Sequence, residues 1–145
     1  MDAPDLVTYR GTVYPWHCDH VGHMNVMWYV GKFDEATWNL LARLGLTSAY
    51  LREQRRGMVA VDQHLQYRRE LLAGDVLTVR SQVLELHARK IRFRHRMFAG
   101  DDGDAAAVTT LVGVHIDAES RKACPFPESV FERARDWVVA AESAG

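Results

Sequence analysis

The segment 26–44 limits the possible folds most strongly, because its pattern predicts one long helix with apolar residues on nearly every face. Apolar residues recur there at the i, i+3, i+4, i+7 spacing of an α-helix. The recurring positions are Val26, Tyr29, Val30, Phe33, Leu40, Leu41 and Leu44. Asn25 is a good N-cap, and Gly45 suits the left-handed residue just past the end. Because other side chains make the remaining faces apolar too, we expect a helix that is surrounded rather than lying on a surface.

The rest of the chain predicts a sheet around this helix. Residues 6–16 have β-favouring side chains, and a short second helix is expected from Ala49 to Gln54. From there the apolar period changes to two. The expected strands are 59–67, 76–86, 91–97 and 105–117. A last helix is expected at about 128–141. Sequential strands joined by short loops are usually antiparallel neighbours, so the pattern predicts an α+β fold with about five antiparallel strands wrapped around a long central helix.

Composition restricts the function classes. A length of 145 residues is enough for one domain, 1–145, with its own core. The net charge of −1 gives no general attraction to nucleic acid, and we expect neither a nucleic-acid partner nor a membrane partner. No apolar run reaches the roughly 20 residues of a membrane span, and the N-terminus does not have the pattern of a secretory signal. Cys18 and Cys124 do not form a disulfide framework, so a cytoplasmic location is expected.

Immediately before the predicted helix lies a short polar segment, which we call the polar loop (residues 17–25). Its residues are His17, Cys18, Asp19, His20, Val21, Gly22, His23, Met24 and Asn25. One carboxylate, three histidines and an amide therefore lie within nine residues of a helix start. We expect the polar loop to supply part of any active site.

The polar loop, followed by Tyr29 and the segment 33–36, resembles the acyl-CoA thioesterases related to 4-hydroxybenzoyl-CoA thioesterase. Within that family it is most similar to the long-chain acyl-CoA thioesterase branch. The segments 66–69 and 74–79 also resemble the family's strand–turn–strand, so the resemblance covers roughly residues 7–120. It implies a hotdog fold, hydrolysis of an acyl-CoA thioester to acid and CoA without a cofactor, and a homodimer or homotetramer with active sites at subunit interfaces.

The resemblance also implies roles for individual residues. Asp19 would be the general base or the nucleophile, and the backbone N–H near Val26 would donate to the oxyanion. Physical chemistry agrees, because a helix N-terminus presents unpaired N–H groups that can stabilise a developing oxyanion. His23 would bond Asp19 or the substrate carbonyl, and Asn25 would cap the helix and contribute to the site. The candidates for substrate binding are His17, Trp28, Tyr29, Arg92, Arg94 and Arg96.

Among these candidates, the three arginines lie on one face of a predicted strand and suit the phosphates of CoA; Arg68 and Arg69 are further candidates. Four aromatic residues, Trp16, Trp28, Trp38 and Tyr29, cluster around the helix and its entrance. We expect most of them in the core and one or two in an acyl pocket, where a cationic acyl group could also be held.

Several alternatives stay open on the sequence. Asp34 or Glu35 on the helix could be the base instead of Asp19. Cys18 could be a nucleophile if a neighbouring histidine activated it. The three histidines of the polar loop do not match the HExxH spacing of helical metal sites, and we expect no metal. A hotdog module that binds an acyl-CoA or an aromatic ligand without turnover is the alternative to an enzyme.

Overall fold

The computed structural model describes residues 5–101 and 103–138, which form a five-stranded antiparallel sheet and three α-helices. The strands are β1 (Leu6–Thr12), β2 (Arg56–Tyr67), β3 (Val76–Leu86), β4 (Lys90–Ala99) and β5 (Ala107–Asp117). The helices are α1 (Val26–Arg43), α2 (Ser48–Glu53) and α3 (Glu128–Ala134). The predicted α+β class, with an antiparallel sheet on one long helix, is confirmed. None of the described helices is long and apolar enough to cross a membrane.

Several predicted boundaries differ by one to three residues, as in β2, which begins at Arg56 rather than at residue 59, and two differ by more. The first strand ends at Thr12 rather than at residue 16, because Pro15 begins a single 3-10 turn, Pro15–His17. Proline favours this position, since its fixed φ suits a helical start. The last helix ends at Ala134. Past it, Val138 pairs with Val83 in an isolated β-bridge, and the remainder of the predicted helix, from residue 139, lies outside the described residues.

The order of the strands differs from the expected sequence of neighbours. It is β1-β3-β4-β5-β2, so β2 pairs with β5 and not with β3. The connection between β2 and β3, residues 68–75, must therefore cross from one side of the sheet to the other. Leu71 anchors it in the core, where it is 1% exposed, and the Leu71 carbonyl accepts from the Met24 N–H at 2.7 Å. The crossing consequently runs beside the start of α1.

Only one side of α1 is covered. Its buried residues are Tyr29, Lys32, Phe33, Ala36, Leu40 and Leu41. The expectation that the helix is surrounded is wrong for the opposite side, where Val26, Met27, Val30 and Trp38 are exposed. The sheet covers a single face of the helix, and no other described element lies over the second face. An apolar helix face is thus open beside the polar loop.

Beneath α1, the buried His95 is held by hydroxyl groups. Strand β4 alternates as predicted, with His95 on the face toward α1 and arginines on the outer face. The His95 ring stacks on Phe33. Ser81 Oγ lies 2.5 Å from Nδ1 of His95 and Thr37 Oγ1 lies 2.8 Å from Nε2. Burial lowers the pKa of His95 from 6.5 to about 3, so the ring is neutral in the folded protein at physiological pH.

We expect His95 to make the fold sensitive to acid. Between pH 6.5 and about 3, His95 is protonated in the unfolded chain but neutral in the folded chain. The free energy of unfolding therefore falls as the pH falls. The slope from this group approaches about 1.36 kcal/mol per pH unit. Urea unfolding between pH 7 and 4 measures it. His95→Gln should be less stable at pH 7 but show a flatter slope, whereas the exposed control His20→Gln should keep the native slope. An unchanged slope in His95→Gln would contradict the prediction.

Candidate functional site

The polar loop folds back on itself, which brings its two ends together. The Asp19 N–H donates to the His23 carbonyl at 3.2 Å, and the Asn25 N–H donates to the His17 carbonyl at 2.9 Å. At the tip, Gly22 has a φ of 102°, a conformation that suits glycine because it has no Cβ. These bonds place the Asp19 side chain next to the Asn25 side chain at the start of α1.

The carboxylate of Asp19 has two partners inside the loop. Its Oδ2 accepts from the Asn25 amide at 2.9 Å, and its Oδ1 accepts from the Val21 N–H at 2.9 Å. The hydrogen bond from Asn25, and to a smaller extent the one from the Val21 N–H, lowers the pKa of Asp19 below its ordinary value. An ionised carboxylate has about four lone-pair sites, so the group can still accept a proton or a further hydrogen bond. Asp19 is therefore an oriented carboxylate with unused capacity.

The same Asn25 side chain caps α1. Its Oδ1 accepts from the Met27 N–H at 3.0 Å, and its backbone is extended, as an N-cap requires. No described group accepts from the N–H of Val26, the first residue of the helix. The positive end of the helix dipole lies at this N–H. Asn25 thus connects the Asp19 carboxylate directly to a helix end with a free donor.

His23 lies near Glu70 rather than bonding Asp19. Its Nε2 is 3.5 Å from Glu70 Oε1, whereas the hydrogen bonds of the Asp19 carboxylate go to other groups. Glu70 belongs to the connection between β2 and β3, which reaches the loop only because that connection crosses the sheet. Sequence reasoning missed Glu70, since no local pattern signals such a contact.

Of the predicted substrate contacts near the loop, His17 and Tyr29 have clear structural partners. His17 is buried, and its Nδ1 accepts from the Tyr14 N–H at 3.0 Å. Burial lowers the pKa of His17, which favours the neutral ring. The Tyr29 hydroxyl donates to the Arg69 carbonyl at 3.0 Å. Both side chains therefore hold the walls of the site in place.

Aromatic rings form an open surface around the first residue of the polar loop, and we call it the aromatic cluster (Tyr14, Trp16, His17 and Trp28). The ring centroids of Tyr14 and Trp16 are 4.6 Å apart in a stacked pair, and those of His17 and Trp28 are 4.5 Å apart. Trp16 is 67% exposed. A large aromatic surface next to a carboxylate loop is available to a ligand.

A cleft of about 250 Å³ opens at the start of α1 and is called the N-terminal cleft. It is lined by His23, Met24, Val26, Tyr29, Tyr67, Arg68, Arg69 and Glu70. Three kinds of predicted site residue line the cleft: Val26, the predicted oxyanion donor; His23, a predicted catalytic residue; and Arg68 and Arg69, which the sequence analysis gave as further candidates for CoA. The first residue of α1 is therefore accessible from this cleft.

The three arginines of β4 lie on the outer face of the sheet, away from α1. Arg92 pairs with Glu85 at 3.1 Å, and Arg96 pairs with Asp5. Arg94 donates to the side-chain carbonyl of Gln82 at 2.6 Å. Within one chain the structure does not bring these arginines to the polar loop. Their contact with CoA stays a prediction.

The alternative bases lie apart from the helix start, whereas the alternative nucleophile Cys18 lies in the polar loop, where it pairs with Met24 in a β-bridge. Asp34 and Glu35 are exposed on α1, and Asp34 is eight residues beyond Val26, about 12 Å along the axis. It lines an apolar groove of about 180 Å³ between α1 and β2. The thiol of Cys18 is 3.9 Å from the Tyr14 carbonyl. No three histidine, cysteine or acidic side chains converge on a possible metal position in the part of the chain that the structure describes.

An antiparallel sheet packed on one long helix in this order is the architecture of a hotdog fold. Comparison with known families agrees. The model of the thioesterase-like superfamily matches residues 13–134, and the chain belongs to that family. The predicted resemblance and the predicted hotdog fold are both confirmed.

Two curated relatives and one solved structure illustrate the likeness. The betainyl-CoA thioesterase of Pseudomonas aeruginosa is 27% identical over 128 residues, which cover 88% of this chain and 80% of the relative. The long-chain acyl-CoA thioesterase FadM of Escherichia coli is 24% identical, over 85% of this chain and 92% of FadM. A Staphylococcus aureus protein solved in complex with CoA superposes with a TM-score of 0.87 at 20% identity, over 100% of this chain and 94% of that one.

Proposed function

We propose that this enzyme hydrolyses acyl-CoA thioesters with Asp19 as the reacting carboxylate and the Val26 N–H as the oxyanion donor. The single observation that carries the proposal is the double role of Asn25, whose amide donates to Asp19 while its carbonyl oxygen caps α1. Asn25 thereby ties the reacting carboxylate to the first turn of the helix that begins with the free Val26 N–H. The family and the names of both relatives support a thioester substrate.

In the proposed reaction, the thioester carbonyl accepts a hydrogen bond from the Val26 N–H. As a base, Asp19 takes a proton from water while the water oxygen bonds the carbonyl carbon. The C–S bond then breaks, and the CoA thiolate receives the proton. As a nucleophile, Asp19 would bond the carbonyl carbon and form an acyl anhydride as the C–S bond breaks and the CoA thiolate leaves. Water would then open the anhydride to the free acid and the Asp19 carboxylate, and the remaining proton of the water would go to the CoA thiolate. The unused lone pairs of Asp19 favour either route over a module that only binds its ligand.

The aromatic cluster supports a cationic acyl group as the first substrate class to test. The outward surface of Trp16 is open, and aromatic faces bind quaternary ammonium groups. The Pseudomonas aeruginosa relative is named for betainyl-CoA, whose acyl group has such a cation. A long acyl chain is the second candidate, because the apolar groove beside α1 could receive it and FadM is named for long-chain substrates.

A panel of acyl-CoA substrates tests the function and the substrate class together. It contains betainyl-, acetyl-, benzoyl- and palmitoyl-CoA, and free thiol release measures turnover. We expect betainyl-CoA to give the highest kcat/KM, and Trp16→Ala to lower that value about tenfold or more, as for a desolvated cation–π contact, while acetyl-CoA hydrolysis stays unchanged. Preference for palmitoyl-CoA would contradict the cationic class. No turnover of any member, with binding retained, would favour the non-catalytic module.

We also propose that the chain acts as a homodimer or homotetramer. Strand β2 lies at one end of the sheet and pairs only with β5 among the described strands, so its second edge is open. An open edge is a template for a strand from another copy, and the uncovered apolar side of α1 lies beside it. Light scattering of the purified chain should give two or four times the mass of one chain. A monomeric mass would contradict this proposal.

A further inference from the structure

Positive charge collects at the end of the sheet opposite the N-terminal cleft. Three segments meet there, and we call them the basic end: 48–56, 87–90 and 117–122. The Ala118 N–H donates to the Arg55 carbonyl at 3.0 Å. The His115 N–H donates to the Arg89 carbonyl at 2.9 Å, so all three segments are neighbours. Strand β2 runs for 12 residues from this end to Tyr67 in the cleft, a distance of about 36 Å.

The positive charges of the basic end are mostly unpaired. Its segments contain seven lysine and arginine residues but only three acidic residues. Arg56 pairs with Asp117 at 2.8 Å, and no described carboxylate lies within 4 Å of the other six cations. These six exposed residues are Arg52, Arg55, Arg89, Lys90, Arg121 and Lys122. Since the whole chain has a net charge of −1, the remainder is net negative, and the total charge conceals this local excess.

Two of these arginines have a strained backbone. Arg55 has a φ of 54° and Arg121 a φ of 64°, and they are the only non-glycine residues with positive φ in the part of the chain that the structure describes. Glycine adopts this conformation without the steric cost that a Cβ brings. Both side chains are exposed, so packing does not require them. Strain that packing does not explain indicates that the arginine side chains themselves are used.

The chemistry of the basic end favours a lipid surface over a protein or a nucleic acid. None of the exposed large apolar side chains of the described residues lies on its three segments. Protein interfaces bury aromatic and other apolar anchors at their centre, and single-stranded nucleic acids stack on aromatic rings. Anionic lipid headgroups, in contrast, attract exposed lysine and arginine side chains without any apolar anchor.

We propose that the basic end binds the surface of an anionic lipid bilayer. Attachment would be peripheral and electrostatic, and the expectation from net charge that the chain has no membrane partner would then be wrong. Because the cleft lies at the other end of β2, it would face the aqueous phase and stay accessible. The proposal is independent of the proposed function, since no residue of the basic end belongs to the polar loop or the cleft.

The test is sedimentation of the full chain with two kinds of vesicle, one of phosphatidylcholine and one of equal parts phosphatidylcholine and phosphatidylglycerol. The native chain should bind only the mixed vesicles, and high salt should release it because screening weakens the attraction. Arg55→Gly/Arg121→Gly should lower the partition coefficient at least about tenfold, since two surface charges are lost. Its Tm should equal or exceed the native value, because the strain is relieved. Acyl-CoA hydrolysis in solution should stay unchanged.

A second variant and a control separate charge from backbone effects. Arg89→Gln/Lys90→Gln removes two charges from unstrained positions and should weaken binding as much. Arg68→Gln/Arg69→Gln removes two charges at the opposite end and should keep native binding. A lower Tm in Arg55→Gly/Arg121→Gly would contradict the argument from strain, and the unstrained variant then decides the proposal alone.

Four outcomes would overturn the proposal. The first is no binding of the native chain to mixed vesicles, and the second is equal binding to both kinds of vesicle. The third is native binding by Arg89→Gln/Lys90→Gln, or an equal loss in the opposite-end control. The fourth is tighter binding to polyglutamate or to a double-stranded oligonucleotide than to mixed vesicles, which would assign the basic end to an acidic protein or to nucleic acid.

Discussion

Replacing Asp19 with asparagine is expected to lower kcat at least about a hundredfold, the scale of a lost acid–base group. The replacement keeps the size of the side chain, and its carbonyl oxygen can still accept from the Val21 N–H. It cannot take a proton from water and cannot form an anhydride. Free thiol release with the preferred acyl-CoA measures the loss, and KM should change much less than kcat because the binding surfaces are untouched.

Two other carboxylates provide the matched controls for this experiment. Asp34→Asn and Glu35→Gln remove the same kind of charge from α1, and both residues are exposed. Each control should keep kcat within a few-fold of the native value. If Asp19→Asn stays active while one of the controls loses turnover, the base lies on the helix. Circular dichroism of all three variants separates a catalytic loss from a loss of fold.

The fold class could be predicted because the apolar residues follow helical spacing in the segment 26–44 and a period of two in the predicted strands. The third strand occupies Val76–Leu86, the same bounds that its β-favouring residues and the Gly74-Asp75 turn predict. The alternation in β4 correctly places Phe93 and His95 inside. Such local patterns decide which residues form an element, and which face is buried follows from them.

The place of β2 in the sheet could not be predicted in the same way. The alternation of apolar and polar residues in a strand identifies its two faces, but it does not indicate which strand pairs with it. The connection 68–75 is longer than a hairpin loop, and the buried Leu71 fixes its path across the core. This choice of partner is a long-range packing effect, and it decides that Arg68 and Glu70 end beside the polar loop.

The part of the candidate site whose residues are close together in the sequence could therefore be predicted. Asp19, Asn25 and Val26 share one loop and one helix start, so their proximity follows from a capping pattern. Lys32 shows the limit, because a lysine on a helix is usually exposed. It is 4% exposed, and its Nζ lies 3.3 Å from the Tyr9 hydroxyl of β1. Only the docking of α1 on that strand brings the two together.

Replacing Val26 with proline is expected to remove the oxyanion donor while leaving the helix in place. Proline is favoured at the first helical position, where its missing N–H makes no intrahelical bond. The preceding residue must be extended, and Asn25 already is, with φ −71° and ψ 147°. The Val26 side chain is 55% exposed, so little packing is lost. The change therefore deletes one N–H with little effect on stability.

Loss of this single donor should lower kcat about 10²–10³-fold, the scale measured when one oxyanion donor is removed. Val26→Ala is the matched control, because it also removes the valine side chain but keeps the backbone N–H. Its kcat should stay near the native value. A thermal melt should show both variants folded. If Val26→Pro is folded and fully active, the oxyanion must be stabilised by another group. The Met27 N–H is a poor substitute, since it already donates to Asn25 Oδ1. The proposal that the start of α1 stabilises the oxyanion would then be wrong.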